Sequence, residues 1–156
     1  MLSPLEIALF SAVGVIFAAG LIVVARWGDR NLPRLAGYAL IAACAIYVGL
    51  GLGSDNPNGW SAVEMTALAV FGSLAFLSRL TSIWVLVAAS ALHPVWLIYV
   101  HYVGTASTFT PAPLVFANAG FDVALALYLA FLALRGATAP TPVSPPAVKG
   151  RKGGAR

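Results

Sequence analysis

Four side chains that could do chemistry lie in unusually apolar surroundings in this chain. The only two histidines, His93 and His101, lie in one stretch, SALHPVWLIYVHY, at residues 90–102. Two acids, Glu64 and Asp122, also lie inside long apolar segments. Imidazole transfers protons near neutral pH and binds metals, and ionisable groups in such segments commonly mark ion or proton sites. These four residues are therefore the candidates for ligand binding or a proton relay.

A metal ion is the one cofactor that this set of side chains suggests, because imidazole and carboxylate both bind divalent metals. Eight residues separate His93 from His101, which puts them about 80° apart around an α-helix. They cannot form the i, i+4 pair of a zinc helix. Metal binding would therefore need Asp122 or Glu64 as well, and all four residues are candidate ligands.

Structural roles compete with each of these chemical ones. His93 could simply bond to Asp122 or to a carbonyl, and His101 could be a solvated residue at a membrane surface. Ser61 and Glu64 in the sequence SAVE fit a helix capping box. The single cysteine, Cys44, lies among small apolar residues and is interpreted as a packed free thiol.

Pro94 directly follows His93. A proline inside a helix removes one backbone hydrogen bond, here the bond to the Ser90 carbonyl, and pushes on the preceding turn. We therefore expect a kink beside His93 that opens space and leaves a free acceptor near its imidazole.

The composition explains why buried ionisable groups are the informative feature. The chain has 156 residues, of which 60% are hydrophobic and only 9% are charged. A soluble domain usually has about 25% charged residues and could not bury so much apolar surface. The sequence therefore predicts an integral membrane protein. The net charge of +4 indicates no nucleic-acid partner, because the basic residues do not cluster on a soluble face.

We predict an all-α bundle of five transmembrane helices in residues 1–135. A span needs about 20 apolar residues, and the predicted spans are 4–25, 35–53, 61–78, 80–104 and 113–134. Residues 136–156 are rich in proline, glycine and basic residues. They are predicted to form a disordered cytoplasmic tail.

The basic residues all fall on one side of a five-span topology. They lie between spans one and two, between spans three and four, and after span five. The segment before span one and the two remaining loops contain none. The positive-inside rule then places the N-terminus outside and the C-terminus in the cytoplasm. Expected contacts with cytoplasmic lipids are made by Arg26, Arg30, Arg34, Arg79, Arg135, Lys149, Arg151 and Lys152. The Ala-, Gly-, Leu- and Val-rich single domain suggests a bacterial inner membrane.

Several of these residues resemble a family pattern. YVG at 47–49, Glu64, His93 with Trp96, His101, and FD at 121–122 resemble an uncharacterised family of small bacterial integral-membrane proteins. That family has a His-x-x-Trp-Asp-x-x-His-His helix. Here Leu97 stands at the family's acid and Val100 at the first of its paired histidines. The resemblance implies a membrane protein with a partly retained His-containing site.

Two functional classes follow from the sequence. The favoured one is an accessory or structural subunit of a larger membrane complex, with other subunits or further copies of the chain as partners. Small residues on the predicted spans and the lack of a complete catalytic motif support it. The alternative is a small membrane enzyme or ligand-binding protein with a His/Asp/Glu site in the outer half, and no catalytic residue is assigned.

Overall fold

The computed structural model describes residues 2–28 and 31–136, and these fold as helices with short connections. The described part contains no strand. Its five α-helices are α1 (Pro4–Trp27), α2 (Leu32–Leu52), α3 (Pro57–Leu80), α4 (Ile83–Leu97) and α5 (Ala112–Leu134). A π-helix, Ile98–Val103, continues α4, and a 3₁₀ turn, Thr105–Thr108, leads towards α5.

Polar side chains and prolines determine where the helices begin. Ser3 and Glu6 form a complete capping box at α1, and Asn31 and Asn56 each cap a following helix with their side-chain oxygens. Prolines occupy the first turns of these helices, where no intrahelical N–H bond is lost. Helix α3 therefore starts at Pro57 and is longer at both ends than the predicted span 61–78.

Five segments of the described chain are long and apolar enough to cross a membrane, with α4 and the π-helix acting as one span. This agrees with the predicted number of spans in a multi-pass membrane protein. Arg26 lies in the last turn of α1, Arg79 in the last turn of α3, and Arg135 directly after α5. The Arg79 guanidinium lies 4.5 Å from the ring centre of Tyr38, early in α2.

The positions of the arginines at the helix ends define two ends of the bundle. We call the end with Arg26, Arg34, Arg79 and Arg135 the arginine end, and the opposite end the polar end. Arg30 and the predicted tail with Lys149, Arg151 and Lys152 lie outside the described residues, apart from Gly136 at the start of that tail.

Glycines allow α1 and α5 to pack with their backbones in contact. A Cβ atom added at Gly14 would lie only 1.8 Å from the Ala117 carbonyl oxygen, and one at Gly120 would lie 2.2 Å from the Ser11 carbonyl oxygen. No side chain larger than hydrogen fits at either position. In lipid, where apolar burial does not drive association between helices, such close packing is a main source of attraction.

The core near the arginine end is apolar. Residues from all five helices contribute to it, including Ala25, Leu40, Phe71, Leu86 and Leu129. Helices α2 and α3 run antiparallel, because Gly37 faces Ala75 near one end and Gly51 faces Trp60 near the other. The buried ionisable residues of the described chain lie between this apolar core and the polar end.

Substitution of Gly14 tests the helix contact. We expect Gly14→Ala to lower the free energy of unfolding by about 1–3 kcal/mol, because the new methyl group forces α1 away from α5. Gly20→Ala is the matched control in the same helix, since nothing lies within 4 Å of its added Cβ. Thermal unfolding in detergent micelles measures both. Because alanine has a higher helix propensity than glycine, Gly20→Ala should be neutral or stabilising. Equal destabilisation of the two variants would show that the contact between α1 and α5 is not the cause.

Candidate functional site

His93 and Asp122 form a hydrogen-bonded pair in the middle of the bundle. His93 Nδ1 lies 2.7 Å from Asp122 Oδ2, and both side chains are only 1% exposed. On the other side of the ring, Cys44 Sγ lies 3.5 Å from His93 Nε2. Both contacts are satisfied together if Nδ1–H donates to the carboxylate and the thiol donates to Nε2. The result is a row of three polar groups from α2, α4 and α5.

Aromatic packing holds the His93 ring in this row. The Phe71 ring meets it edge to face, with ring centres 4.8 Å apart. We call His93 and Asp122 the inner pair, because Glu64 and His101 form a second pair nearer the polar end.

The outer pair is equally buried but has a different geometry. His101 Nε2 lies 3.3 Å from Glu64 Oε1, at exposures of 0% and 1%. The two atoms are close enough for an ion pair, yet they are not aligned for a hydrogen bond, and neither has another hydrogen-bonding partner. His101 Nδ1 is engaged separately, 3.0 Å from Thr110 Oγ1.

The surroundings of the outer pair fix the His101 ring. Tyr47 packs against it, with ring centres 4.4 Å apart, and the Tyr47 hydroxyl accepts a hydrogen bond from Asn118 at 3.2 Å. Phe109 lies at right angles to His101 and packs on Trp60 towards the polar end. Side chains from α2, α3, α5 and the connecting loop therefore enclose the pair.

The π-helix explains why both histidines face the interior. An i→i+5 ladder takes roughly 4.4 residues per turn, compared with about 3.6 in an α-helix. The four steps from Leu97 to His101 therefore turn through a smaller angle, which rotates His101 back towards the face of His93. The predicted separation of 80° assumed an unbroken α-helix and is corrected by this wider turn. Pro94 lies inside α4, one turn before the π-helix begins.

Two structural alternatives from the sequence are not found. His101 is fully buried, so it is not a solvated surface residue. Glu64 is not a capping acid, because Asn56 caps α3 and the Ser61 hydroxyl donates to the Asn58 carbonyl. The other alternative, a hydrogen bond from His93 to Asp122, is present and is compatible with a chemical role as well.

Unpartnered polar atoms are concentrated around the two pairs. In the described residues, the buried side-chain nitrogen and oxygen atoms without a hydrogen-bonding partner are Glu64 Oε1, Ser90 Oγ, Trp96 Nε1, His101 Nε2 and Asp122 Oδ1. A buried polar atom without a partner costs about 1–3 kcal/mol, so native proteins normally supply one, often water or an ion.

A metal site of four protein ligands does not form from the predicted residues. Within residues 2–28 and 31–136, no group of three or more His, Cys, Asp or Glu side chains is placed to hold one metal ion. The candidates are instead divided into an inner and an outer pair. A metal at either pair would need ligands from outside the protein.

Three residues take part in the site in ways that the sequence does not predict. Cys44 is a buried free thiol, as the sequence predicts, but its contact with His93 is not predicted. The roles of Tyr47 and Thr110 beside His101 are not predicted either. Tyr47 and Cys44 lie three residues apart in α2, which places both on one helix face. This spacing is the one feature of the sequence that links the two residues to each other. It links them to the histidines only once the position of α2 in the bundle is known.

Removal of one partner tests the inner pair. We expect Asp122→Ala to lower the free energy of unfolding by about 1–3 kcal/mol, because His93 loses its acceptor in a dry interior. The double variant His93→Phe/Asp122→Leu should recover most of this loss, since both polar partners are replaced by apolar groups. Unfolding in mixed micelles measures both variants. Wild-type stability of Asp122→Ala would contradict the hydrogen bond.

Comparison with known proteins adds no relative. No family model, no curated protein and no solved structure matches this chain. The resemblance to the small bacterial membrane family stays a prediction, and function is inferred from the geometry of the two pairs.

Proposed function

We propose that this integral membrane protein binds a small cationic guest at its two buried His–acid pairs. One observation carries the proposal: the unpartnered buried polar atoms of the described residues belong to these pairs and to Ser90 and Trp96 beside them. Intramembrane ionisable residues that only hold helices together would have their hydrogen bonds completed by other protein groups.

Charge explains why the guest is a cation. Each carboxyl group faces one imidazole, so a pair with a carboxylate and a neutral imidazole has one negative charge. An isolated negative charge is strongly disfavoured in a low-dielectric interior. A proton makes such a pair neutral, and a metal cation balances its charge. A proton leaves the unpartnered oxygen and nitrogen atoms without a partner, so the guest that we propose is a metal cation.

The distribution of buried polar residues favours binding over conduction across the membrane. The buried polar and charged residues of the described chain are Glu64, Ser90, His93, His101, Thr110 and Asp122. None of them lies closer to the arginine end than Ser90, and the core beyond it is apolar. A cation that enters from the polar end has no polar path onward. By the positive-inside rule the polar end faces outward, in what we take to be a bacterial inner membrane.

The guest can be detected without knowing its identity. We expect native mass spectrometry of the full chain, extracted in mild detergent, to show added mass over the polypeptide, with elemental analysis on the same sample. The double variant Glu64→Gln/Asp122→Asn should lose that mass, because it removes both carboxylates while preserving side-chain shape. Glu6→Gln is the matched control, since its carboxylate lies at the same end but is exposed.

Two results would overturn the proposal. One is a wild-type protein with neither added mass nor metal. The other is the same added mass in the wild type, Glu6→Gln and the double variant. A monodisperse elution profile and helical circular dichroism establish that each variant is folded before its occupancy is compared.

A second role, as an accessory subunit of a membrane complex, is favoured by the outer face of α3. An open apolar groove there is lined by small and flexible side chains, among them Met65, Ala69, Gly72, Ser73 and Phe76. Small residues at a membrane-exposed face let another helix approach closely. The occupant on this proposal is a helix of another membrane subunit.

A substitution in the groove tests this second role. We expect wild-type protein in mild detergent to elute as a complex and Ala69→Trp to elute as a monomer, because an indole fills the groove. Leu127→Trp is the control, since Leu127 is an exposed apolar residue on α5. Size-exclusion chromatography with light scattering gives the masses. A discrete monomer in all samples would exclude the accessory role.

A further inference from the structure

The inner and outer pairs differ in whether their nitrogen atoms are engaged. Both nitrogens of His93 have partners, Asp122 on one side and the Cys44 thiol on the other. His101 has a partner at Nδ1 only, and its Nε2 lies near an acid oxygen that is also unpartnered. The outer pair therefore has two free ligand atoms 3.3 Å apart, whereas the inner pair has only one, Asp122 Oδ1.

The separation of these two free atoms suits a shared metal ion. Nitrogen and oxygen ligands bind zinc at about 2.0–2.2 Å, which places two ligands of a tetrahedral site about 3.4 Å apart. Glu64 Oε1 and His101 Nε2 lie 3.3 Å apart and are not aligned for a direct hydrogen bond. Their lone pairs can therefore converge on a third atom beside them.

Thr110 gives His101 the support that a metal-binding histidine normally has. Metal-ligating histidines engage their second ring nitrogen with another polar group, which fixes the ring orientation and the tautomer. His101 Nδ1 is 3.0 Å from Thr110 Oγ1, and Thr110 is 5% exposed. Donation from Nδ1–H to this hydroxyl leaves Nε2 with the lone pair that a metal requires.

The polar end also favours the approach of a cation. Its connecting segments in the described chain contain Asp55 and no lysine or arginine. Trp60 and Phe109 are only partly buried above the outer pair. Local negative charge with low-dielectric walls raises the concentration of cations at such an entrance.

We propose that Glu64 Oε1 and His101 Nε2 bind one divalent cation of the zinc class, with water molecules in the remaining positions. Thr110 acts as a positioning residue for His101. This inference rests on the proposed function and names its guest. An imidazole combined with a carboxylate favours zinc-like metals over magnesium and calcium, which prefer oxygen ligands throughout.

Zinc titration of chelator-treated, full-length protein in detergent is the test. We expect one Zn²⁺ per chain in the wild type. Thr110→Val should weaken binding about 10- to 100-fold, the usual effect of losing a second-shell partner. Glu64→Gln and His101→Gln should each weaken it further, because each removes a ligand atom. Glu6→Gln should bind as tightly as the wild type.

Co²⁺ substitution reports which ligands hold the metal. The chain has one cysteine, so a thiolate-to-cobalt absorption band could come only from Cys44. We expect d–d bands of a nitrogen- and oxygen-ligated site and no thiolate band. A thiolate band, or loss of binding in Asp122→Asn but not in Glu64→Gln, would place the metal at the inner pair and overturn the inference.

The outcomes also separate this inference from the proposed function. If wild-type protein binds no Zn²⁺ but retains added mass that depends on Glu64 and Asp122, the inference is wrong and the binding function stands. If it has neither, both are wrong. If Zn²⁺ binds equally to the wild type and Glu64→Gln, the outer pair is not its site.

Discussion

The cost of placing ionisable side chains in an apolar interior is the constraint on which the rest of the structure depends. Asp122 and Glu64 are almost completely buried. Each carboxyl group lies next to one imidazole, and the two groups can share a proton. Such a pair is tolerable only if its partners are held at the right distance. The two pairs therefore require α3, α4 and α5 to have fixed heights and rotations relative to one another. Close contacts at Gly14 and Gly120 fix the position of one of these helices, α5, against α1.

Helix irregularity makes this arrangement possible. An unbroken α-helix would separate His93 and His101 by about 80° around the helix axis, so the two rings would not point in the same direction. The π-helix from Ile98 to Val103 turns both inward. Single-turn π segments are rare and often occur at functional sites. Here the Thr110 hydrogen bond and the Tyr47 ring supply contacts of this kind to His101.

Much of the fold follows from the sequence because a membrane limits the possible structures. Apolar length predicts the five spans, and the arginines indicate which helix ends lie together. Counting residues along alternating helices also places Glu64 and His101 nearer the polar end than His93 and Asp122. The predicted start of α3 differs because two possible helix caps lie close together in the sequence. Asn56 and Pro57 start α3 earlier than Ser61 would, so Glu64 lies inside the helix and not in its first turn.

The sequence by itself therefore determined the class of protein, the number of helices and the identity of the four ionisable residues. Only the tertiary structure decided that they form two separate pairs, that Cys44 and Thr110 take part, and that His101 is buried. The physical reason is that hydropathy and helix caps act within one segment of chain. Rotation of a helix, a π turn and contacts between distant residues depend on how all the helices pack together.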